Sequence, residues 1–91
     1  MKILVVGNGA REHALVKKLI GEPFVDGVIC APGNAGIERE HSTRVVPLNI
    51  SDAEAILSVA EAEAVDMTVV GPELPLANGV ADLFLTHGRF L

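Results

Sequence analysis

The chain has 91 residues with a formal net charge of −5 at pH 7, and 49% of its residues are apolar. This length allows one small domain, and the apolar content predicts a folded core rather than disorder. The basic residues are scattered and three phenylalanines are the only aromatic residues, so the chain lacks the basic stripe and stacking surfaces of nucleic-acid-binding proteins. No apolar run reaches the length of about 18 residues that suggests a membrane span. The single cysteine, Cys30, cannot form an internal disulfide, which favours a reducing, cytoplasmic setting.

Apolar runs and helical patterns alternate along the chain. The runs at 3–6 and 67–70 are continuous, which indicates strands covered on both faces, as in a parallel sheet. Strands are also predicted over 25–31 and, more weakly, over 43–48, with a loop between them. Helices are predicted over 10–20, over 51–64 and around 76–84.

The helices are predicted from apolar stripes and end signals. In the first, Ala14, Leu15, Lys18 and Leu19 stand at helical spacing, and Gly21 and Pro23 end it. The second is predicted to begin with a capping box from Ser51 to Glu54. The stripes of the second and third helices comprise Ile56, Leu57, Ala60, Ala64 and Leu76, Val80, Leu83, Phe84.

This order of elements predicts an α/β fold, because alternating strands and helices form parallel sheets with right-handed crossovers. We expect a Rossmann-like parallel sheet of about four to five strands with helices on both faces. Residues 89–91 resemble the start of a fifth strand. We therefore interpret residues 1–91 as one N-terminal domain of a longer protein.

The first glycine loop, Gly7-Asn8-Gly9-Ala10-Arg11, joins the first strand to the first helix. Glycines permit a tight turn, and a helix N-terminus offers free N–H groups and partial positive charge to an anion. The alternative is a turn that simply requires glycine. Arg11 could clamp an anion or pair with a neighbour such as Glu12.

Two features of the sequence argue against a dinucleotide site. The fingerprint G-x-G-x-x-G has Glu12 at its third glycine position. The second strand ends in Cys30-Ala31-Pro32-Gly33, without the acidic residue that holds a ribose. An NAD or FAD role therefore ranks below the other readings.

Two further loops follow strands at the same edge of the predicted sheet. The loop after the second strand contains Pro32, Gly33, Asn34 and Gly36, and Glu73 follows the fourth strand. Ligands of open α/β sheets bind at this edge. A connecting loop and a first-turn glutamate favoured by the helix dipole are the alternatives, but three converging loops favour a site.

Catalytic groups are not apparent in the sequence. His13 is interpreted as structural, and His41 and His87 as isolated surface residues. No spacing of ligands typical of a metal site is present. We therefore predict a binding domain with no catalytic residues and no metal of its own.

Three motifs, Gly7-Asn8-Gly9-Ala10-Arg11-Glu12-His13, Ala31-Pro32-Gly33-Asn34-Ala35-Gly36 and Val70-Gly71-Pro72-Glu73 with Pro75, Leu76 and Gly79, extend over most of the chain. Their order and spacing resemble the N-terminal domain of the phosphoribosylamine–glycine ligase (glycinamide ribonucleotide synthetase) family. The resemblance implies an ATP-dependent carbon–nitrogen ligase of purine biosynthesis, with a Rossmann-like domain in front of ATP-grasp domains. It also implies that the phosphoribosyl group of phosphoribosylamine or glycinamide ribonucleotide contacts Gly9, Ala10 and Arg11.

The resemblance further implies that Glu73 contacts the ribose hydroxyls or the amine, and that Pro32 to Gly36 walls the pocket. ATP and magnesium or manganese would bind in the ATP-grasp domains after Leu91, so this piece alone is expected to be inactive. The family often has glycine where this chain has Ala10, which would be strained at positive φ. The alternatives are another ATP-grasp enzyme of the purine pathway, such as a carboxylase or formyltransferase, and a stand-alone nucleotide-binding module.

Overall fold

The computed structural model describes residues 1–71, 79, 83–85 and 88. Strands and helices alternate along the chain, as the sequence predicts. The strands are β1 (Lys2–Gly7), β2 (Gly27–Pro32), β3 (Thr43–Val45) and β4 (Met67–Val70). The helices are α1 (Ala10–Ile20), α2 (Ala35–Glu38) and α3 (Ala53–Ala62).

The four strands form one parallel sheet in the order β3-β2-β1-β4. The central strand β1 pairs with β2 from Lys2↔Gly27 to Gly7↔Pro32, and with β4 from Ile3↔Met67 to Val6↔Val70. The chain therefore moves outward from β1 through β2 to β3, and then returns to the other side of β1. This strand order confirms the predicted Rossmann-like fold.

Helices cover both faces of the sheet, which explains why β1 is continuously apolar. Ile3 and Val5 point to one face, where they pack with Val16 of α1 and Ile37 of α2. Their neighbours on β1 point to the other face because side chains alternate along a strand. There the buried cluster comprises Leu4, Val6, Ile29, Ala31, Ile56, Leu57, Ala60, Val65 and Phe84.

The segment between β2 and β3 departs from the prediction of a loop. Asn34 begins the short helix α2, because its side chain accepts a hydrogen bond from Ile37 N–H at 2.9 Å. Strand β3 is also shorter than the predicted 43–48. Val46 N–H still donates to Cys30 O at 3.1 Å, but residues 46–49 no longer belong to a strand.

The predicted start of α3 was wrong by one residue. Asp52, not Ser51, is the N-cap, and its carboxylate accepts hydrogen bonds from the N–H groups of Glu54 and Ala55 at 3.1 Å each. The Ser51 hydroxyl instead donates to Asn49 Oδ1 at 2.7 Å. Aspartate and serine are both favoured N-caps, so the sequence left two adjacent candidates.

Two predicted apolar stripes also need correction. Ala64 lies beyond α3 at φ 53° and is exposed, while Val65 N–H closes the helix end on Ala60 O at 3.1 Å. In α1 the fully buried residue is Val16, whereas Ala14 and Lys18 are exposed. The helix is therefore rotated relative to the predicted stripe, because Glu12 as well as Val16 faces the sheet.

The prediction of a helix around 76–84 can be compared only at its end. Residues 83–85 are helical, and Phe84 is fully buried in the cluster on the α3 face. The rest of that helix, Glu73, His87 and the proposed fifth strand at 89–91 lie outside the described residues. Within the described ranges no helix is long and apolar enough to span a membrane.

Candidate functional site

The carboxyl edge of the sheet carries the first two predicted loops and Gly71, which begins the third. Strands β1, β2 and β4 end there at Gly7, Pro32 and Val70. The strand order reverses direction between β1 and β4. In open α/β sheets such a switch point is where ligands bind.

Hydrogen bonds close the β1–β2 junction, which we define as Gly7, Asn8, Gly33 and Asn34. Gly33 N–H donates to Gly7 O at 3.0 Å, and Asn34 Nδ2 donates to Asn8 O at 2.8 Å. Asn34 Oδ1 is used as the cap of α2. Gly33 has φ +68°, and a Cβ there would lie 2.5 Å from Val45 Cγ1. Only glycine fits this position without strain.

The β1–β4 junction, defined as Arg11, Glu12 and Gly71, is built from side chains of α1. Arg11 Nη2 donates to Gly71 O at 3.1 Å, so the guanidinium spans the switch point. Glu12 is only 7% exposed, and its Oε2 accepts from Gly9 N–H at 3.0 Å. A Cβ on Gly71 would lie 2.3 Å from Glu12 Oε1. The absence of a side chain at Gly71 therefore makes room for this carboxylate.

The N-terminus of α1 lies between the two junctions. Its N-cap is Gly9, which has no side chain to accept the free N–H groups of the first turn. Ala10 is the first helical residue and is absent from the described non-glycine residues with positive φ. Alanine at position 10 therefore causes no backbone strain. Asn8, Ala10 and Arg11 are exposed at this edge, where an anion could reach the helix terminus.

An open pocket of about 290 Å³ adjoins the β1–β4 junction. Arg11, Glu12 and Gly71 supply its polar groups, and Val5 and Leu15 form its apolar wall. The pocket thus has a guanidinium and a carboxylate on an otherwise apolar surface. It suits a small ligand with groups of both charges.

His13 connects the first turn of α1 to the segment after α2. Its Nε2 lies 2.6 Å from Glu40 Oε2. The hydrogen bond with His13 is the main reason that the pKa of Glu40 lies below its ordinary value. A Cβ on Gly36 would lie 3.1 Å from His13 Cε1, so Gly36 provides space for the imidazole. This contact agrees with a structural role for His13, and His41 is exposed, as predicted.

Cys30 lies beneath the β1–β2 junction and is fully buried. Its Sγ donates to Gly7 O at 3.4 Å. Burial, and secondarily the negative charge of Glu12, raises the pKa of the thiol to about 11. Because the thiolate is the reactive form of cysteine, Cys30 is an unreactive part of the core at neutral pH.

The structure brings most of the predicted binding residues to one edge. Gly36 lies further back, against His13, and Glu73 lies outside the described residues. Those that meet at the edge are Gly7, Asn8, Gly9, Ala10, Arg11, Pro32, Gly33 and Asn34.

Sequence reasoning missed the contribution of Glu12 and Gly71 to the site. Glu12 stands where the dinucleotide fingerprint has its third glycine. We used this departure only to argue against dinucleotide binding, although it also indicated an unusual carboxylate at this position. The described part of the chain has no group of three or more His, Cys, Asp or Glu side chains placed to hold a metal ion.

Comparison with known proteins gives consistent results. The family described as "Phosphoribosylglycinamide synthetase, N domain" matches residues 1–90. A curated relative from Salmonella typhimurium, "Phosphoribosylamine--glycine ligase", is 50% identical over 88 residues, which are 97% of this chain and 20% of the relative. Relatives with that name from Xylella fastidiosa and Vibrio cholerae are 49% and 44% identical, with the same coverage of both chains.

The chain therefore spans about a fifth of the length of these relatives. The family match covers nearly all of the chain. On this evidence the chain belongs to the family of phosphoribosylglycinamide synthetase N domains.

Proposed function

We propose that this chain is the substrate-binding domain of an ATP-dependent ligase that joins 5-phosphoribosylamine to glycine in purine biosynthesis. The product would be glycinamide ribonucleotide. The names of the relatives support the activity, and the carboxyl edge of the sheet supports the binding role. The observation that carries the proposal is the open first turn of α1 with Arg11 fixed beside it by Gly71 O.

The phosphoribosyl phosphate would bind at the first turn of α1. A helix N-terminus provides N–H donors and partial positive charge, and Arg11 adds a guanidinium with free donors. These local groups matter because the whole chain has a charge of −5, which repels anions at long range. Pro32, Gly33 and Asn34 would form the adjoining wall, and Glu73 would contact the ribose hydroxyls or the amine.

The chemical step would take place in the remainder of the ligase. ATP phosphorylates the glycine carboxylate, and the amine of phosphoribosylamine then attacks the acyl carbon, releasing phosphate and a proton. The described residues of this chain do not provide a ligand set for magnesium or manganese. As the resemblance to the ligase family implies, we assign ATP and its metal to the rest of the ligase, and we expect this chain alone to be inactive.

A chimeric enzyme tests this function. This chain would replace the matching fifth of the Salmonella typhimurium ligase, and glycine-dependent ADP release would be measured with phosphoribosylamine. We expect activity in the chimera and none in the isolated chain. We expect Arg11→Ala to raise KM for phosphoribosylamine by about 10- to 100-fold, because a charged hydrogen bond contributes about 1.5–3 kcal/mol.

Arg39→Ala is the matched control, since Arg39 is an exposed arginine at the end of α2. An unchanged KM for Arg11→Ala would contradict the proposed phosphate contact. A chimera that folds but rejects phosphoribosylamine would contradict the function itself. In that case, tight binding of AMP by the isolated chain would favour a nucleotide-binding module.

A further inference from the structure

Glu12 is the least expected feature of the site. Its side chain is 7% exposed, and Gly9 N–H is the one hydrogen-bond donor that its carboxylate has among the described residues. No lysine, arginine or histidine of the described residues forms an ion pair with it. Its neighbour Arg11 donates to Gly71 O instead.

Among the described residues the Glu12 carboxylate has one donor, and its second oxygen is not sealed from solvent, because Thr68 Oγ1 is the described side-chain atom that is both fully buried and without a partner. The two carboxylate oxygens have about four acceptor positions, and buried charges are normally paired or fully hydrogen-bonded. Oε2 is occupied by Gly9 N–H, whereas Oε1 lies toward Gly71. Glu12 also lines the pocket of about 290 Å³, so a ligand there could donate to the acceptor positions that no described residue fills.

The walls of the pocket favour such a ligand. Val5 and Leu15 are apolar, and an apolar surface lowers the local dielectric and strengthens a hydrogen bond to a charged acceptor. The carboxylate belongs to the same first turn of α1 that presents N–H groups to an anion. An anion-binding turn and a hydrogen-bond acceptor thus stand side by side.

From this arrangement we infer that Glu12 binds the primary amine of the ligand whose phosphate lies at the first turn of α1. This inference rests on the proposed function, in which that ligand is phosphoribosylamine. The amine is bound in its protonated form, donates its N–H hydrogens to Glu12 Oε1, and loses one proton before it attacks the acyl carbon. Glu12 therefore selects the amine over the hydroxyl that ribose 5-phosphate carries at the same carbon, because the ammonium adds an ion pair to the hydrogen bond and the neutral hydroxyl does not.

The experiment uses the chimeric ligase described above. KM for phosphoribosylamine and the inhibition constant of ribose 5-phosphate are measured for the unsubstituted chimera, for Glu12→Gln and for Glu54→Gln. Glutamine retains an acceptor for Gly9 N–H but lacks the charge. Glu54 is a matched control because it is an exposed glutamate in the first turn of α3.

We expect Glu12→Gln to raise KM for phosphoribosylamine about ten-fold and to change the inhibition constant of ribose 5-phosphate less than two-fold. Glu54→Gln should change neither. An equal loss for both ligands would overturn the inference, because it would mean that Glu12 only shapes the loop. The proposed function would survive that outcome, since the chimera would still use phosphoribosylamine.

A measurement without any substitution covers the case in which Glu12→Gln does not fold. The unsubstituted chimera should bind phosphoribosylamine about ten-fold more tightly than ribose 5-phosphate. Equal affinities would overturn the inference alone. A chimera that binds neither ligand would overturn the proposed function and this inference with it.

Discussion

The two junctions at the carboxyl edge of the sheet differ in how completely their polar groups are satisfied. At the β1–β2 junction, Gly33 and Asn34 direct their donors to the backbone of β1 and its loop. At the β1–β4 junction, the Glu12 carboxylate has one donor among the described residues and lines an open pocket. Both junctions consist of glycines and short polar contacts.

Similar loops at one edge of a sheet can therefore have different roles, one structural and the other in ligand binding. A junction held by hydrogen bonds between its own strands and loops, as at Gly33 and Asn34, fixes the architecture. A junction that keeps a buried acceptor and exposed donors retains capacity for a ligand. Substitutions should therefore separate the two, with stability lost at the first and binding lost at the second.

The largest effect on stability is expected from Gly33→Ala at the β1–β2 junction. The added methyl group would be at φ +68° and 2.5 Å from Val45 Cγ1. Left-handed strain and overpacking together should lower the free energy of unfolding by about 3–4 kcal/mol. Urea unfolding of the chain measures this. Gly21→Ala is the control, because Gly21 has φ −82° and its Cβ would be 3.5 Å from the nearest atom. Equal losses of stability in both variants would contradict a special role of Gly33 at the β1–β2 junction.

A smaller loss of stability is expected when the thiol of Cys30, beneath the same junction, ionises. The pKa of this thiol is raised from 9.0 to about 11 in the folded chain. The contribution of the protonated thiol to the free energy of unfolding is fully present below pH 9. It is lost as the pH rises to 11, because the unfolded chain releases the thiol proton at a lower pH than the folded chain does. The loss should be about 2–3 kcal/mol.

Urea unfolding at intervals between pH 8 and pH 11 checks this prediction, with Cys30→Ala as the control that has no thiol to ionise. Parallel pH profiles for the two proteins would rule out the thiol as the cause. Glu12→Gln links the two junctions, because the charge of Glu12 is the second cause of the raised pKa of Cys30. That variant should lose less stability between pH 9 and pH 11.

The smallest effect on stability is expected from Gly71→Ala at the β1–β4 junction. The methyl group would lie 2.3 Å from Glu12 Oε1, but the end of a flexible side chain can move. We expect the free energy of unfolding to fall by about 1 kcal/mol and KM for phosphoribosylamine to rise at least as much as in Glu12→Gln.

In the double variant with Glu12→Ala the added methyl group has room, so the two stability losses should not add. A large stability loss with unchanged KM would reverse our assignment of the two junctions.

The sequence was sufficient for the elements with strong local signals. The continuous apolar runs of β1 and β4 predicted strands with two covered faces, and Ile3 and Leu4 indeed point to opposite buried clusters. Local signals failed where two residues compete for one role. Ser51 and Asp52 are both suitable caps, and Ala14 and Val16 both suit a buried face, so packing decided between them.

The fold class and the position of the glycine loops at strand ends could be predicted from the sequence, because both depend on periodicity and on residues that are close in the chain. The surroundings of the Glu12 carboxylate became clear only from the folded chain. Its partner Gly71 is far away in sequence and becomes its neighbour because β4 returns to pair with β1. Burial and hydrogen-bond satisfaction depend on such non-local contacts, so a local pattern cannot predict them.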